Sequence, residues 1–332
     1  MAGNSTDESK VTLKVKTLRR ALTSFLMLVG LSVTLSAFAP ASRAEETRNG
    51  FIITADGVKI HYIEAETTIV TAGGPLGTDR ASVSVPNMQQ PSILFVPGWT
   101  MPEWIWQKQI GYFSKHYRVV AMDPRSQGES TITSEGLYPA ARARDIKAVV
   151  DQLHLAPVVL VGWSMAVTEL AAYVDQFGTG NLAGLVFVDD NFGGLAPGEG
   201  KADLEFIAQI LADRQKNTDA FVHNLCFKKP QPADYLDRVM AACMRTPTSD
   251  AVALLVGKYA ADYRAAAAKM NRPTLFCYAD SPYMPAAAQA QIQASVKGSR
   301  LEVFHGDGHA LFVDDPDHFN SVLEDFLKGL GK

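Results

Sequence analysis

Val161-Gly162-Trp163-Ser164-Met165-Ala166 decides how the rest of the chain is read. The residues just before Gly162, Pro157-Val158-Val159-Leu160-Val161, are a short continuous apolar run, the pattern of a strand buried on both faces. From Met165 to Gln176 apolar side chains recur three and four apart, the pattern of a helix. A serine between such a strand and such a helix sits on a sharp turn that lifts its hydroxyl above the sheet edge. Strand and helix backbones pass closely there, so the residues two before and two after the serine must be small. Gly162 meets that need, while Ala166 stands where glycine is more usual and implies a tighter turn. The helix starting at Met165 also directs its positive end at the site, which favours developing negative charge. A plain helix cap is the alternative for Ser164; the apolar strand in front of it favours a nucleophile.

Outward from this turn, further apolar runs end in turn residues. Ser92–Val96 leads into Pro97-Gly98, Tyr117–Met122 into Asp123-Pro124, and Leu182–Val188 into Asp189-Asp190. Thr274–Ala279 and Arg300–Phe304 follow, and Arg142–Leu153 has helical spacing. Strands alternating with helices predict an α/β fold with a mostly parallel sheet and helices on both faces. Ligands of such sheets bind at the carboxyl ends of the strands. Before the first of these runs, Phe51–Ile63 reads as a hairpin about Asp56-Gly57. Residues 65–90 read as an irregular surface insertion. From Phe192 to Arg272 there is no strand pattern, only helical stretches at Leu204–Arg214, Asp234–Met244 and Ser249–Met270. A helical block between two strands must lie outside the sheet, so a lid over its carboxyl edge is expected. Cys226 and Cys243 fall in this block and either pair or are two buried free thiols.

The chain has 332 residues and a formal net charge of −4, with 47% hydrophobic and 20% charged residues. These are globular proportions, with apolar material for a sizeable core and no surplus of positive charge for nucleic acid. Three cysteines are too few for a disulfide scaffold or a Cys-rich zinc site. At the N-terminus, Lys14, Lys16, Arg19 and Arg20 precede an uncharged run from Ala21 to Ala39, and Ser42 and Ala44 then offer the small residues of a signal-peptidase site. The expected domains are an export signal at 1–44, a core at 45–191 and 273–332, and the lid at 192–272. Removing the six basic and two acidic residues of 1–44 leaves an exported chain of net charge −8, periplasmic or secreted, with no stable hold on a membrane. A retained membrane tether at 21–39 is the alternative.

A serine hydroxyl is a poor nucleophile until a base takes its proton. His309 stands in Gly306-Asp307-Gly308-His309-Ala310, a loop beyond the last strand and before a helix beginning near Pro316. That position can reach Ser164. His305 lies at the strand end itself, His61, His116 and His154 lie on the wrong side of their strands, and His318 falls in the last helix. His309 is therefore the expected base.

Phe95-Val96-Pro97-Gly98-Trp99, Asp123-Pro124-Arg125-Ser126-Gln127-Gly128-Glu129-Ser130, the Ser164 turn and Gly308-His309 occur in this order in the α/β-hydrolases, which the chain resembles from about Phe51 to its C-terminus. The resemblance is nearest to the lidded, cofactor-free esterases and perhydrolases of the non-haem haloperoxidase branch. It implies an oxyanion hole made by the backbone N–H groups of Trp99 and Met165, and a bracing role for Asp123–Ser130. It implies a triad acid after the strand ending at Ala279, where Asp280 is the carboxylate, about two positions earlier than usual. Some relatives place the acid after the preceding strand, which here offers Asp189 or Asp190. Trp163 and Thr100, beside these positions, are expected to line a substrate pocket, core packing being the alternative for the tryptophan. No metal constellation or phosphate-cradling loop is present in the sequence, and no cofactor is implied. The expected activity is that of a serine hydrolase on a small-molecule carboxylic ester or related acyl substrate. A perhydrolase or lactonase using the same residues, or a ligand-binding member without catalysis, are the alternatives.

Overall fold

The computed structural model describes residues 42–70, 90–194, 200–280 and 284–330. The described residues from 43 onward belong to one compact unit. Nearly all of the expected export signal and most of the expected insertion after residue 65 lie outside the described residues.

The strands are β1 (Ser42–Ile53), β2 (Lys59–Val70), β3 (Ser92–Val96), β4 (Val119–Met122), β5 (Val158–Trp163), β6 (Leu182–Val188), β7 (Thr274–Ala279) and β8 (Arg300–Phe304). They form one sheet in the order β1-β2-β4-β3-β5-β6-β7-β8. β2 pairs antiparallel with β4, and every pairing from β4 to β8 is parallel. β1 and β2 meet at the expected Asp56-Gly57 turn, closed by the Gly57 N–H on the Thr54 carbonyl and by the Thr54 N–H on that of Val58. Both strands are longer than the hydrophobic alternation suggested, and β2 runs into the stretch read as irregular.

The central strands are apolar at every position because both faces of the sheet are covered, and the period of two divides their side chains between two cores. Phe95, Ala121, Val161, Val188 and Cys277 pack on one face with α1 (Gln107–Phe113) and α10 (Pro316–Gly329). Leu94, Val120, Leu160, Phe187 and Phe276 pack on the other with α2 (Pro139–Gln152) and α3 (Met165–Phe177). Each fully buried Val, Leu or Phe side chain contributes roughly 1.5–3 kcal/mol from removal of apolar area from water.

The strand order fixes where a ligand can sit. From β3 the chain moves outward to β4 and then returns past β3 to β5, so the connections diverge between β3 and β5. That switch point leaves a crevice at the carboxyl ends of these two strands. Gly98-Trp99 follows β3 and Ser164 follows β5.

Between β6 and β7 the chain forms α4 (Gly200–Ala212), α5 (Arg214–Phe221), a π-turn at Val222–Cys226, α6 (Ala233–Arg245), α7 (Thr248–Tyr259) and a 3-10 turn at Arg264–Lys269. The remaining helices are α8 (Ala286–Ser295) and the single turn α9 (Leu311–Asp314). The helical block is bonded to the loops at the strand ends. The Trp99 indole donates to the Ala251 carbonyl, Thr246 Oγ1 to that of Ser126, and Lys258 Nζ lies 3.1 Å from the Asp190 carboxylate. Cys226 and Cys243 are both buried free thiols and do not pair. Both pack into the same apolar core, Cys243 from within α6, and burial pushes the Cys243 thiol up to about 11.

Candidate active site

Ser164 adopts φ 56°, a left-handed backbone that a serine avoids unless its surroundings impose it. Two contacts do so. The Ser164 N–H donates to the Val188 carbonyl of β6, and its own carbonyl accepts from Val167 in the first turn of α3. The close passage expected at this turn is present: a Cβ on Gly162 would stand 2.7 Å from Leu170 Cδ1 and 3.1 Å from the Ala166 carbonyl. Ala166, fully buried, is accommodated. Thr100, Ser126 and Asp189, each at another strand end, also have φ between 52° and 62°. Strained backbone is thus concentrated where the functional side chains are aimed.

His309 Nε2 lies 2.7 Å from Ser164 Oγ, and His309 Nδ1 lies 2.7 Å from Asp189 Oδ2. An ionised carboxylate only accepts, so Nδ1 carries the proton and Nε2 is left to accept from the serine hydroxyl. All three side chains are buried. The second Asp189 oxygen accepts the Ala279 N–H at 2.9 Å, which fixes the carboxylate at the end of β7 as well as β6. Asp190, one residue on, faces Lys258 instead.

Asp280, the acid implied by the position after β7, is not the partner of His309. Its carboxylate lies 3.3 Å from His305 Nδ1, with both side chains in water at 66% and 77% exposure. The acid facing His309 is the alternative one strand earlier, Asp189.

The imidazole is positioned from three sides. The Trp163 indole N–H donates to the His309 carbonyl at 2.8 Å, and its ring packs against His309 and Phe312. Trp163 is therefore a buried support of the histidine loop, where the sequence suggested a pocket wall. The His309 and Ala310 N–H groups donate to the Leu225 and Cys226 carbonyls of the π-turn. Asp314 then ties the two segments together, its carboxylate accepting from the backbone N–H of Gly308 and of Lys228, both at 2.8 Å, and from the Gln231 side chain. A Cβ on Gly308 would stand 2.7 Å from the Cys226 carbonyl. None of this was legible from a loop read in isolation. The only local signals were the glycines about His309 and an acid shortly after it.

Opposite Ser164, the turn after β3 comes close enough that a Cβ on Gly98 would stand 2.9 Å from Ser164 Cβ. Gln127, buried, holds that turn by donating its side-chain amide to the Gly98 and Met101 carbonyls, each at 2.9 Å. Met165 is the first residue of α3, so its N–H has no carbonyl a turn behind it. Trp99 follows Gly98 in the turn that approaches Ser164, Met165 follows Ser164 itself, and Thr100 is fully buried in the turn after Trp99. Trp99, Met165, Ile210, Leu254 and Leu255 form one apolar cluster, so α4 and α7 cover the site with hydrocarbon.

Beneath it, Asp123 braces the loops, accepting from the Glu103 and Glu129 N–H groups and lying 2.8 Å from His61 Nδ1. Burial, with Asp123 alongside, raises the Glu103 carboxyl to about 9, so it holds a proton against its neighbour. His61, Glu103 and Asp123 gather as a metal site would, but both Asp123 oxygens are already occupied by N–H donors.

The sequence pattern of the Alpha/beta hydrolase family matches residues 93–321, and the chain belongs to that family. It is 28% identical over 256 residues to the non-heme haloperoxidase of Rhodococcus erythropolis, covering 71% of this chain and 92% of that protein. Among solved structures, the esterase EaEST of Exiguobacterium antarcticum superimposes with a TM-score of 0.71 at 22% identity, covering 85% of this chain and all of the other. The bromoperoxidase of Bacillus anthracis gives 0.72 at 20% identity over the same share. These likenesses establish the fold.

Proposed function

We propose that the chain is a serine hydrolase acting on carboxylic esters through Ser164, His309 and Asp189. The observation that carries this reading is the pair of 2.7 Å contacts on either side of the His309 ring. Ser164 gives its proton to His309 Nε2 as Oγ bonds to the substrate carbonyl carbon. The resulting oxyanion is met by the Trp99 and Met165 amides, and one such donor is worth roughly 2.7–4 kcal/mol. His309 returns the proton to the leaving alkoxide as the C–O bond breaks. Water then attacks the acyl-enzyme, gives its proton to His309, and releases the acid as Oγ regains hydrogen. Asp189 stays ionised throughout and stabilises the imidazolium between these transfers. Apolar cover from α4 and α7 supports an acyl substrate, with the helical block as its lid.

Ser164→Ala tests the reading: hydrolysis of a p-nitrophenyl ester should fall by about a million-fold, and undiminished turnover would overturn it. A fluorophosphonate that labels Ser164 excludes a merely ligand-binding role. Peracid formation from hydrogen peroxide and a carboxylic acid, assayed beside ester and lactone hydrolysis, separates perhydrolase from esterase and lactonase; the haloperoxidase relative keeps that arm worthwhile. We also place the protein outside the cytoplasm, free of residues 1–44; a mature N-terminus found by mass at Glu45 supports this, and one at the initiating methionine overturns it.

A further inference from the structure

Four arginine and lysine side chains are buried among the described residues: Arg125, Arg142, Arg214 and Lys258. Three have a carboxylate against them. Arg125 meets Asp145, Arg142 meets Glu169, and Lys258 meets Asp190. Arg214, the first residue of α5, has none among the described residues. Its Nη1 donates to Thr218 Oγ1 and its Nη2 to the Cys243 carbonyl, and its buried Nε has no partner. Burial pulls its pKa down, and the group opposing that pull is a thiol, Cys243. Two neutral acceptors leave the charge itself uncompensated, and an isolated buried cation is costly.

The position of this charge gives it a use. The guanidinium stacks over the Trp99 ring at 4.6 Å, which recovers only a fraction of the lost hydration. Trp99 follows Gly98 in the turn that approaches Ser164. Its ring meets Phe221 edge-on, and Phe221 in turn faces the His309 ring. Thr100 Oγ1, buried in the same turn against the Cys243 thiol, has no oxygen or nitrogen partner. An unbalanced cation and a spare hydroxyl therefore lie together, one aromatic ring away from the reacting groups. Guanidinium donors match a carboxylate well, and a desolvated pair of this kind is strong.

We propose that Arg214 and Thr100 form an anion subsite, and that the preferred substrate is an ester whose acyl chain ends in an ionised carboxylate, a half-ester of a short dicarboxylic acid. The proposal rests on the esterase reading and adds the substrate class to it. The apolar cluster around Trp99 accepts the methylenes, and the distal carboxylate neutralises Arg214.

The test compares mono-p-nitrophenyl glutarate with p-nitrophenyl pentanoate, which has the same acyl length and no second charge. The wild-type protein should favour the half-ester by at least about tenfold in kcat/KM, chiefly through KM. In Arg214→Met, which replaces the cation with an apolar side chain of similar length, that ratio should collapse towards one. A ratio near one in the wild type, or an unchanged ratio in the variant, overturns the proposal. If Arg214 only packs the lid, its replacement alters both substrates alike and the ratio survives. A second readout needs no turnover: glutarate should raise the melting temperature of Ser164→Ala and leave that of Ser164→Ala/Arg214→Met unmoved. Should neither ester be hydrolysed, the esterase reading fails while this measurement still decides whether Arg214 binds a carboxylate.

Discussion

The carboxyl ends of β6 and β7 lie side by side, each carries an aspartate, and the two aspartates have opposite fates. Asp189 is dry, held at φ 52°, and bonded to the Ala279 N–H on one oxygen and His309 on the other. Asp280 stands in water with an exposed histidine. Both pairs are an imidazole and a carboxylate within hydrogen-bond reach, yet only the buried one is in line with a hydroxyl. An exposed pair is screened and worth at most about 1 kcal/mol. A buried one has no competing water, so it fixes which imidazole nitrogen carries the proton. Position in the sheet, more than residue type, decides which carboxylate meets the imidazole beside Ser164.

The largest effect expected from this contrast is at Asp189. Asp189→Asn keeps the shape and removes the charge, and kcat for ester hydrolysis should fall about 10⁴-fold, as happens when the orienting acid of a serine triad is neutralised. Next comes the clamp behind the histidine. Gly308→Ala puts a methyl group against the Cys226 carbonyl, and displacement of the imidazole should reduce kcat by about 10²-fold with the fold retained by circular dichroism. Another buried carboxyl, Glu103, sharpens the comparison because burial and the neighbouring Asp123 both oppose its ionisation. Its folded pKa of about 9 exceeds the usual 4.5, so its contribution to stability is fully present below 4.5 and is lost as pH rises through about 9. Glu103→Gln stays neutral and should shrink the fall in melting temperature across that window by about 2–4 °C or more. The smallest effect belongs to the wet pair: Asp280→Asn should leave kcat/KM within about twofold of wild type, because exposed surface substitutions rarely propagate. A large loss there would reverse the assignment of the acid.

What the sequence made legible was local. The strand before Ser164, the helix after it and the small residue at Gly162 are neighbours in the chain, so their joint geometry could be read directly. His309 was legible for the same reason, as a histidine in a glycine-rich loop beyond a strand. The acid was harder, because which strand end reaches the imidazole depends on how β6 and β7 lie across the sheet. Trp163 was misplaced on similar grounds: its indole partner is the His309 carbonyl, far along the chain. Arg214 carries no sequence signature at all, and for Gln127 in the Asp123–Ser130 motif and Asp314 after His309 no partner could be read from the sequence, since each acts on segments brought near only by folding. Cys226 and Cys243 show the limit of composition: an oxidising compartment would permit a bridge, but each is a free thiol buried in the core instead.

The shared carboxylate of Asp314 makes the π-turn and the histidine loop a single inherited part. Exchanging helical blocks between relatives is an obvious route to altered selectivity, but here the transferable cassette has two pieces, residues 222–231 and residues 305–315. Transplanting the first alone would part the Lys228 N–H and the Gln231 side chain from Asp314, so the chimaera would lose the register of its histidine loop before a new selectivity could be expressed.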